Sequence, residues 1–225
     1  MISFSNVCKE YTTENGNVLV YKDFSEVIQD GEFIVLTGES GSGKTTLLKM
    51  LLKEINPEQG KILVDSEDIV KLKHRDVPYY RRKIGVVFQD FRLFQDLSVY
   101  DNLVASILAT GGSAKEANKK IVDVLTMLGI DSLHKRLPRE MSGGQQQKVC
   151  LARAIINNPK YLLVDEPTGN LDPGQSAEII RLLDIIHDHG ITVIMATHDM
   201  SVLAVKNKRQ ISLDERTFKN SFQTA

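Results

Sequence analysis

Two cysteines, Cys8 and Cys150, are all that the chain carries, far apart and in no metal-like spacing. That leaves no disulfide framework and no cysteine-built metal site, and points to a reducing compartment with both thiols acting as small buried hydrophobes. An excess of charge is missing too: 28 basic residues stand against 29 acidic ones, a formal net charge of -1. A chain that holds nucleic acid through its overall field is basic, so no nucleic-acid partner is expected and any partner must be recognised locally. Long apolar runs are also absent. The longest, such as "YLLV" and "ITVIMA", fall far short of the roughly 20 residues that span a bilayer. The opening "ISFSNVCKEY" alternates and lacks the basic, apolar and small-residue sections of a signal peptide. The expectation is a cytosolic chain that reaches the cytoplasmic face of a membrane only through another protein. With no internal repeats or low-complexity linkers, 225 residues accommodate one substantial core.

What is present alternates strand and helix signals. Residues 1 to 36 read as strands and suggest a small β layer, with turn residues Gln29, Asp30 and Gly31 before "EFIVL". "GKTTLLKMLLKEI" then reads as a helix opening directly from a glycine turn and closed by Asn56 and Pro57. "KILVD" and "IGVVF" are short β-branched runs, and residues from about 91 to 158 read as mostly helical, with Ile121, Val124, Leu125 and Leu128 on one helix face. The last third runs strand "YLLVDE", helix "AEIIRLLDIIHDHG", strand "ITVIMATHD", which implies parallel strands in a helix-flanked sheet. The fold class is therefore α/β: one domain, with a helical insertion. "KRQISLDERTF" suggests a further edge strand, and the polar tail "NSFQTA" a frayed end.

"GESGSGKT", Gly38 to Thr45, has the spacing G-x-x-x-x-G-K-[ST] in the required place, after a strand and before a helix. Gly38, Glu39, Ser40, Gly41, Ser42 and Gly43 let successive backbone amides curl around phosphate oxygens, and Thr46 follows in the same turn. Lys44 brings positive charge to β and γ phosphates, and the Thr45 hydroxyl suits magnesium. A magnesium nucleotide also needs an acid at the end of a buried strand, and "YLLVDE" supplies Asp165 for the metal and Glu166 as general base for an attacking water. The ligand expected on these grounds is a magnesium nucleotide, with Mg2+ as the metal.

A second glycine segment, "SGGQ" before "QQKVCLARAII", puts amides and a hydroxyl at a helix start but has no lysine beside it. Such a loop can complete a phosphate site and is poorly made to build one alone. Together with residues 38 to 45 and "LLVDE", it resembles the signature of the ATP-binding cassette family, whose elements occur here in the family's order over nearly the whole chain. The resemblance implies that the nucleotide is ATP and that the chain is an ATPase in which two copies pack head to tail as an ATP-dependent homodimer, the signature of one closing over nucleotide held by the other. It implies roles for Gln89 at magnesium and the attacking water, for Ser142, Gly143, Gly144 and Gln145 as the signature, and for Asp172 in linking the two sites. It also implies that His198 contacts γ-phosphate as a catalytic group and that Tyr11 stacks on adenine. Two departures are visible: Met141 stands where the family usually has Leu, and Lys148 where Arg is frequent. His187 and His189 do not share a helix face and read as surface residues.

The stretch "RDVPYYRRKIGVVFQDFRLFQDLSVYDNL" resembles the cell-division branch of that family. That branch implies an FtsX-like integral membrane protein docked beside Gln89 and residues 90 to 103, with cell-wall hydrolases as indirect partners. Phe91, Leu93, Phe94 and Tyr100 either line that docking groove or belong to the core. The basic cluster Lys71, Lys73, Arg75, Arg81, Arg82 and Lys83 reads as a solvated face, the alternative being a face turned to anionic lipid or an acidic partner. The nearest alternative is the ATPase of a lipoprotein-release or macrolide-type exporter.

Overall fold

A computed structural model describes residues 1–14, 16–169, 171–199 and 208–214. Alternating apolar residues near the start form β1 (Ile2–Thr13) and β2 (Gly16–Ile28), paired antiparallel with Ile2 opposite Ile28 and Thr13 opposite Gly16. They join β4 (Gln59–Val64) and β5 (Glu67–Asp68) in a sheet of order β2-β1-β4-β5. The third early strand, β3 (Phe33–Thr37), does not stay in that layer. Its four consecutive buried residues, Phe33 to Leu36, need cover on both faces, which a half-exposed antiparallel sheet does not give.

It enters a second sheet instead, with β6 (Ile84–Val87), β7 (Tyr161–Asp165), β8 (Thr192–Ala196) and β9 (Arg209–Ser212), in the order β6-β7-β8-β3-β9. All the pairings in this sheet are parallel. Strand periodicity splits the core in two. Val35, Leu162, Val164, Val193 and Met195 pack against the helical side, whereas Ile34, Leu36, Tyr161, Leu163, Ile194 and Ala196 pack against the antiparallel sheet and the first helix. The expected edge strand is β9; the tail "NSFQTA" lies outside the described residues.

The first helix, α1 (Lys44–Leu51), is shorter than its composition suggests. Lys53 takes φ +54, its N–H donates to Met50 O and the N–H of Glu54 reaches Lys49 O, closing the helix before Asn56. The remaining carbonyls at this end are capped from α2 (Val77–Arg81): the Tyr80 hydroxyl donates to Leu51 O at 2.5 Å and Arg81 Nε to Leu52 O at 2.8 Å. Arg81 is therefore a helix cap and not only part of a solvated basic face. Around it, Lys71, Arg75 and Lys83 pair with Asp68, Asp76 and Glu67.

Between the sheets' crossovers lie α3 (Val99–Ala109), α4 (Ala114–Met127) and α5 (Gly143–Ile155), with α6 (Pro173–Asp188) joining β7 to β8. Ile121, Leu125 and Leu128 are buried as one face of α4, with Val124 partly buried beside them. Cys150 is buried and Cys8 half-buried, both free. His187 corrects the surface reading: its Nε2 lies 2.8 Å from Gly31 O and its ring meets Phe33 edge-on, 5.7 Å between centroids. His189 is exposed. Among the described residues no helix is long and apolar enough to cross a membrane.

Candidate active site

The turn from β3 into α1 needs left-handed glycines. Gly38 has φ +147, Gly41 +86 and Gly43 +102. A Cβ on Gly43 would meet Val20 Cγ1 at 2.8 Å and the Tyr21 oxygen at 2.9 Å, and Tyr21 donates its hydroxyl to Gly43 O. Only glycine fits there. The curl encloses Lys44, 6% exposed, whose Nζ donates to Gly38 O at 2.6 Å and Glu39 O at 3.0 Å. The ammonium thus rests on its own loop.

That cleft has a volume of about 500 Å³. Ser40, Gly41, Gly43, Lys44, Thr45 and Thr46 form its floor, and Tyr11, Gln89, Glu166 and His198 surround it. Gly38, Glu39 and Ser42 stand behind the floor, Ser42 buried against Gly38. Tyr11 projects from β1 beside the cleft, 36% exposed, its oxygen 3.4 Å from Thr46 Oγ1. Thr13, Val18 and Val20 also line the cleft and carry no motif in the sequence.

The acidic end of β7 reaches α1 directly. Thr45 Oγ1 donates to Asp165 Oδ2 at 3.0 Å. Burial pushes the Asp165 carboxyl above its ordinary value and the Glu166 charge adds to this, against the bond from Thr45 and the Lys44 charge. A desolvated carboxylate beside a hydroxyl is a good seat for a hard cation that keeps most of its ligands from phosphate and water. No cluster of three or more His, Cys, Asp or Glu residues suited to a metal occurs among the described residues. Glu166 turns sharply at φ +46, its N–H bonded to Ala196 O, and its Oε2 lies 2.9 Å from His198 Nδ1. The carboxylate is 12% exposed and the imidazole 64%.

Gln89 follows β6 and leads into a loop fixed from α5. Phe91 and Arg92 have φ +56 and +51, and Arg153 donates from Nη2 to Phe91 O at 2.6 Å and from Nη1 to Arg92 O. Farther on, fully buried Asn102 accepts from Phe94 N and donates to Phe94 O, Leu97 O and Ser98 O. Nothing local in the sequence marks Arg153 or Asn102 for these roles. Leu93 is core, Phe91 and Tyr100 pack partly buried against it, and Phe94 and Leu97 stand 57% and 40% exposed.

The second glycine loop lies elsewhere. Ser142 caps α5: its Oγ accepts from Gln145 N at 3.3 Å while Gln145 Oε1 accepts from Ser142 N at 3.1 Å. Asp172 caps α6 by accepting from Gln175 N, and the Gln175 side chain lies against Gly144, 3.0 Å from where a Cβ would be. Lys148 joins the same two helices through Glu178 at 2.5 Å, a single contact that does not need arginine's fork. Ser142, Gly143, Gly144, Gln145 and Asp172 are gathered together, but none of them lines the cleft of this chain.

Comparison with known proteins gives a consistent result. The family model described as "ABC transporter" matches residues 21–169. The cell division ATP-binding protein FtsE of Bacillus subtilis is 39% identical over 215 residues, 96% of this chain and 93% of that protein. FtsE of Escherichia coli K12 is 40% identical over 215 residues, 96% of each. Among solved structures, the ATP-binding cassette MJ0796 in a dimeric post-hydrolysis state bound to ADP and Pi superposes with a TM-score of 0.85 at 34% identity, covering 96% of this chain and 95% of that one. A glycine loop on a buried lysine, an acidic strand end against it and a match this extensive have one meaning: the chain belongs to the ABC transporter family of ATP-binding cassettes.

Proposed function

We propose that this chain is the ATP-hydrolysing subunit of a cell-division membrane complex, and that it works as a pair of copies driving an FtsX-like integral membrane protein. The observation that carries the chemistry is the Glu166–His198 contact at the mouth of the phosphate loop. The branch rests on about 40% identity to FtsE proteins across nearly the full length of both chains.

In this reading the amides of Gly41 and of residues 43 to 46 take the phosphate oxygens, and Lys44, held on Gly38 O, directs its ammonium to the β and γ phosphates. Glu166 accepts a proton from the attacking water as its oxygen bonds to the γ phosphorus and the bond to the β-phosphate oxygen breaks, releasing ADP and phosphate. His198 and Gln89 hold the γ-phosphate and the water in line, and Tyr11 stacks on the base, a contact worth roughly 1–3 kcal/mol. Thr45, Gln89 and Asp165 are the residues that would hold Mg2+, which when bound neutralises charge across the β and γ oxygens. Ser142, Gly143, Gly144 and Gln145 of a second copy cap the γ-phosphate, and Asp172 carries the closure between the two sites.

Phe94 and Leu97, exposed in the loop after Gln89, are the apolar contacts offered to the membrane partner at the cytoplasmic face. The movement of that partner then activates cell-wall hydrolases on the other side of the membrane. The test is a pull-down from detergent-solubilised membranes with Glu166→Gln and ATP. An FtsX-like protein retained only with nucleotide supports the reading, and an export permease in its place overturns the division branch.

A further inference from the structure

The phosphate loop is gripped from behind by a residue that belongs to none of its motifs. β9 pairs in parallel with β3, Thr37 opposite Ser212, and the N–H of Leu213 donates to Thr37 O. The chain therefore leaves the sheet alongside the start of the loop, and Asp214 arrives beside Gly38 and Glu39. Its Oδ1 accepts from Glu39 N at 2.7 Å. A Cβ on Gly38 would come within 2.9 Å of the same oxygen, so the carboxylate sits flush against this turn.

The contact matters because of which peptide it holds. The N–H of Glu39 and the C=O of Gly38 are the two ends of one peptide group. At the far end, Gly38 O accepts from Lys44 Nζ at 2.6 Å. Glu39 O accepts from the same ammonium and also from Ser42 N at 3.1 Å. Asp214, peptide 38–39 and Lys44 thus form a single hydrogen-bonded line, and a charged acceptor at one end fixes the peptide plane and polarises the carbonyl at the other.

We propose that Asp214 is a positioning residue for ATP binding: its carboxylate locks the 38–39 peptide so that the loop and Lys44 are set before nucleotide arrives. It acts through the loop and touches no reacting atom. The inference rests on the reading that residues 38 to 45 hold the phosphates, and it adds a residue 175 positions away from Glu39 to that site. Preorganisation of this kind appears in affinity rather than in the chemical step.

The experiment uses the full chain and reads steady-state phosphate release against ATP, with Lys44→Ala as control. Asp214→Ala removes the acceptor, and Asp214→Asn keeps an acceptor oxygen while losing the charge. The expected result is a KM for ATP raised about tenfold in Asp214→Ala with kcat within about twofold, the loss of one charged hydrogen bond, and recovery of most of the KM in Asp214→Asn. An unchanged KM in Asp214→Ala, a fall confined to kcat, or an Asp214→Asn protein as impaired as Asp214→Ala overturns the proposal. If Lys44→Ala itself binds and hydrolyses ATP normally, the phosphate-loop reading fails, and that outcome is separate from the others.

Discussion

Glu166 and His198, 32 residues apart, meet with Oε2 2.9 Å from Nδ1, and the same oxygen also accepts the His198 backbone N–H at 3.3 Å. The pairing is built by the parallel register of β7 and β8, which sets Asp165 beside Ala196 and so delivers the two side chains to the same edge of the sheet. Glu166→Gln keeps the shape and removes the group proposed to accept the proton. Single-turnover phosphate release should fall by about 10² to 10⁴, while ATP binding measured with a fluorescent analogue persists.

Asp165 gives a pH dependence with a definite sign. Its carboxyl is raised in the folded protein, chiefly by burial. Between the unfolded value of 3.8 and that raised value the folded state holds more protons than the unfolded one, so this residue's contribution to stability falls as pH rises through the window. The nucleotide-free Asp165→Asn protein should therefore melt higher than wild type at neutral pH, with the gain vanishing below about pH 3.8. Thermal melts across pH check this, and Mg2+-dependent hydrolysis should be lost in the same variant.

At Gly43 the backbone itself is the constraint. An alanine there must adopt φ +102 and push against Val20 and the Tyr21 hydroxyl. Gly43→Ala should bind ATP at least tenfold more weakly, in keeping with a strain of about 1–3 kcal/mol for a non-glycine residue held in such a region. Equilibrium titration with nucleotide measures it, and Tyr21→Phe, which spares the glycine, should cost much less.

Asn102 predicts a stability effect away from the chemistry. Its truncation takes the side-chain partner from the N–H of Phe94 and the carbonyl of Leu97 and leaves a gap where a fully buried amide sat, while Phe94 O keeps the N–H of Leu97 and Ser98 O keeps the N–H of Asn102. Asn102→Ala should cost about 3 kcal/mol, a fall of roughly 6–12 °C in Tm for a chain of this size. Because this clamp shapes the loop carrying Phe94 and Leu97, capture of the membrane partner should weaken in the same variant even at temperatures where the chain is folded.

The parts of the site legible in the sequence are those made by neighbours along the chain. The order strand, glycine loop, helix and the acid after "YLLV" depend on local periodicity, and the structure sets Thr45 against Asp165 accordingly. Three features were out of reach for the opposite reason. α1 ends at a left-handed Lys53, a conformation that lysine does not advertise. Arg81 read as one charge in a basic run, yet its use is to cap carbonyls some 29 positions earlier. Asp214 meets Glu39 only because β9 and β3 are neighbours in the sheet, a pairing that no spacing in the sequence encodes.

The central claim is that the second glycine loop serves nucleotide held by another copy, since Ser142 and its neighbours sit away from the cleft of their own chain. The most direct measurement mixes two inactive proteins, Lys44→Ala and Ser142→Arg, and follows ATP hydrolysis by the mixture. A mixed pair contains one site with an intact phosphate loop facing an intact signature, so activity should return on mixing although each protein alone is inactive. If the mixture stays as inactive as its components while the two proteins demonstrably associate, the signature does not act across the pair, and the account is contradicted.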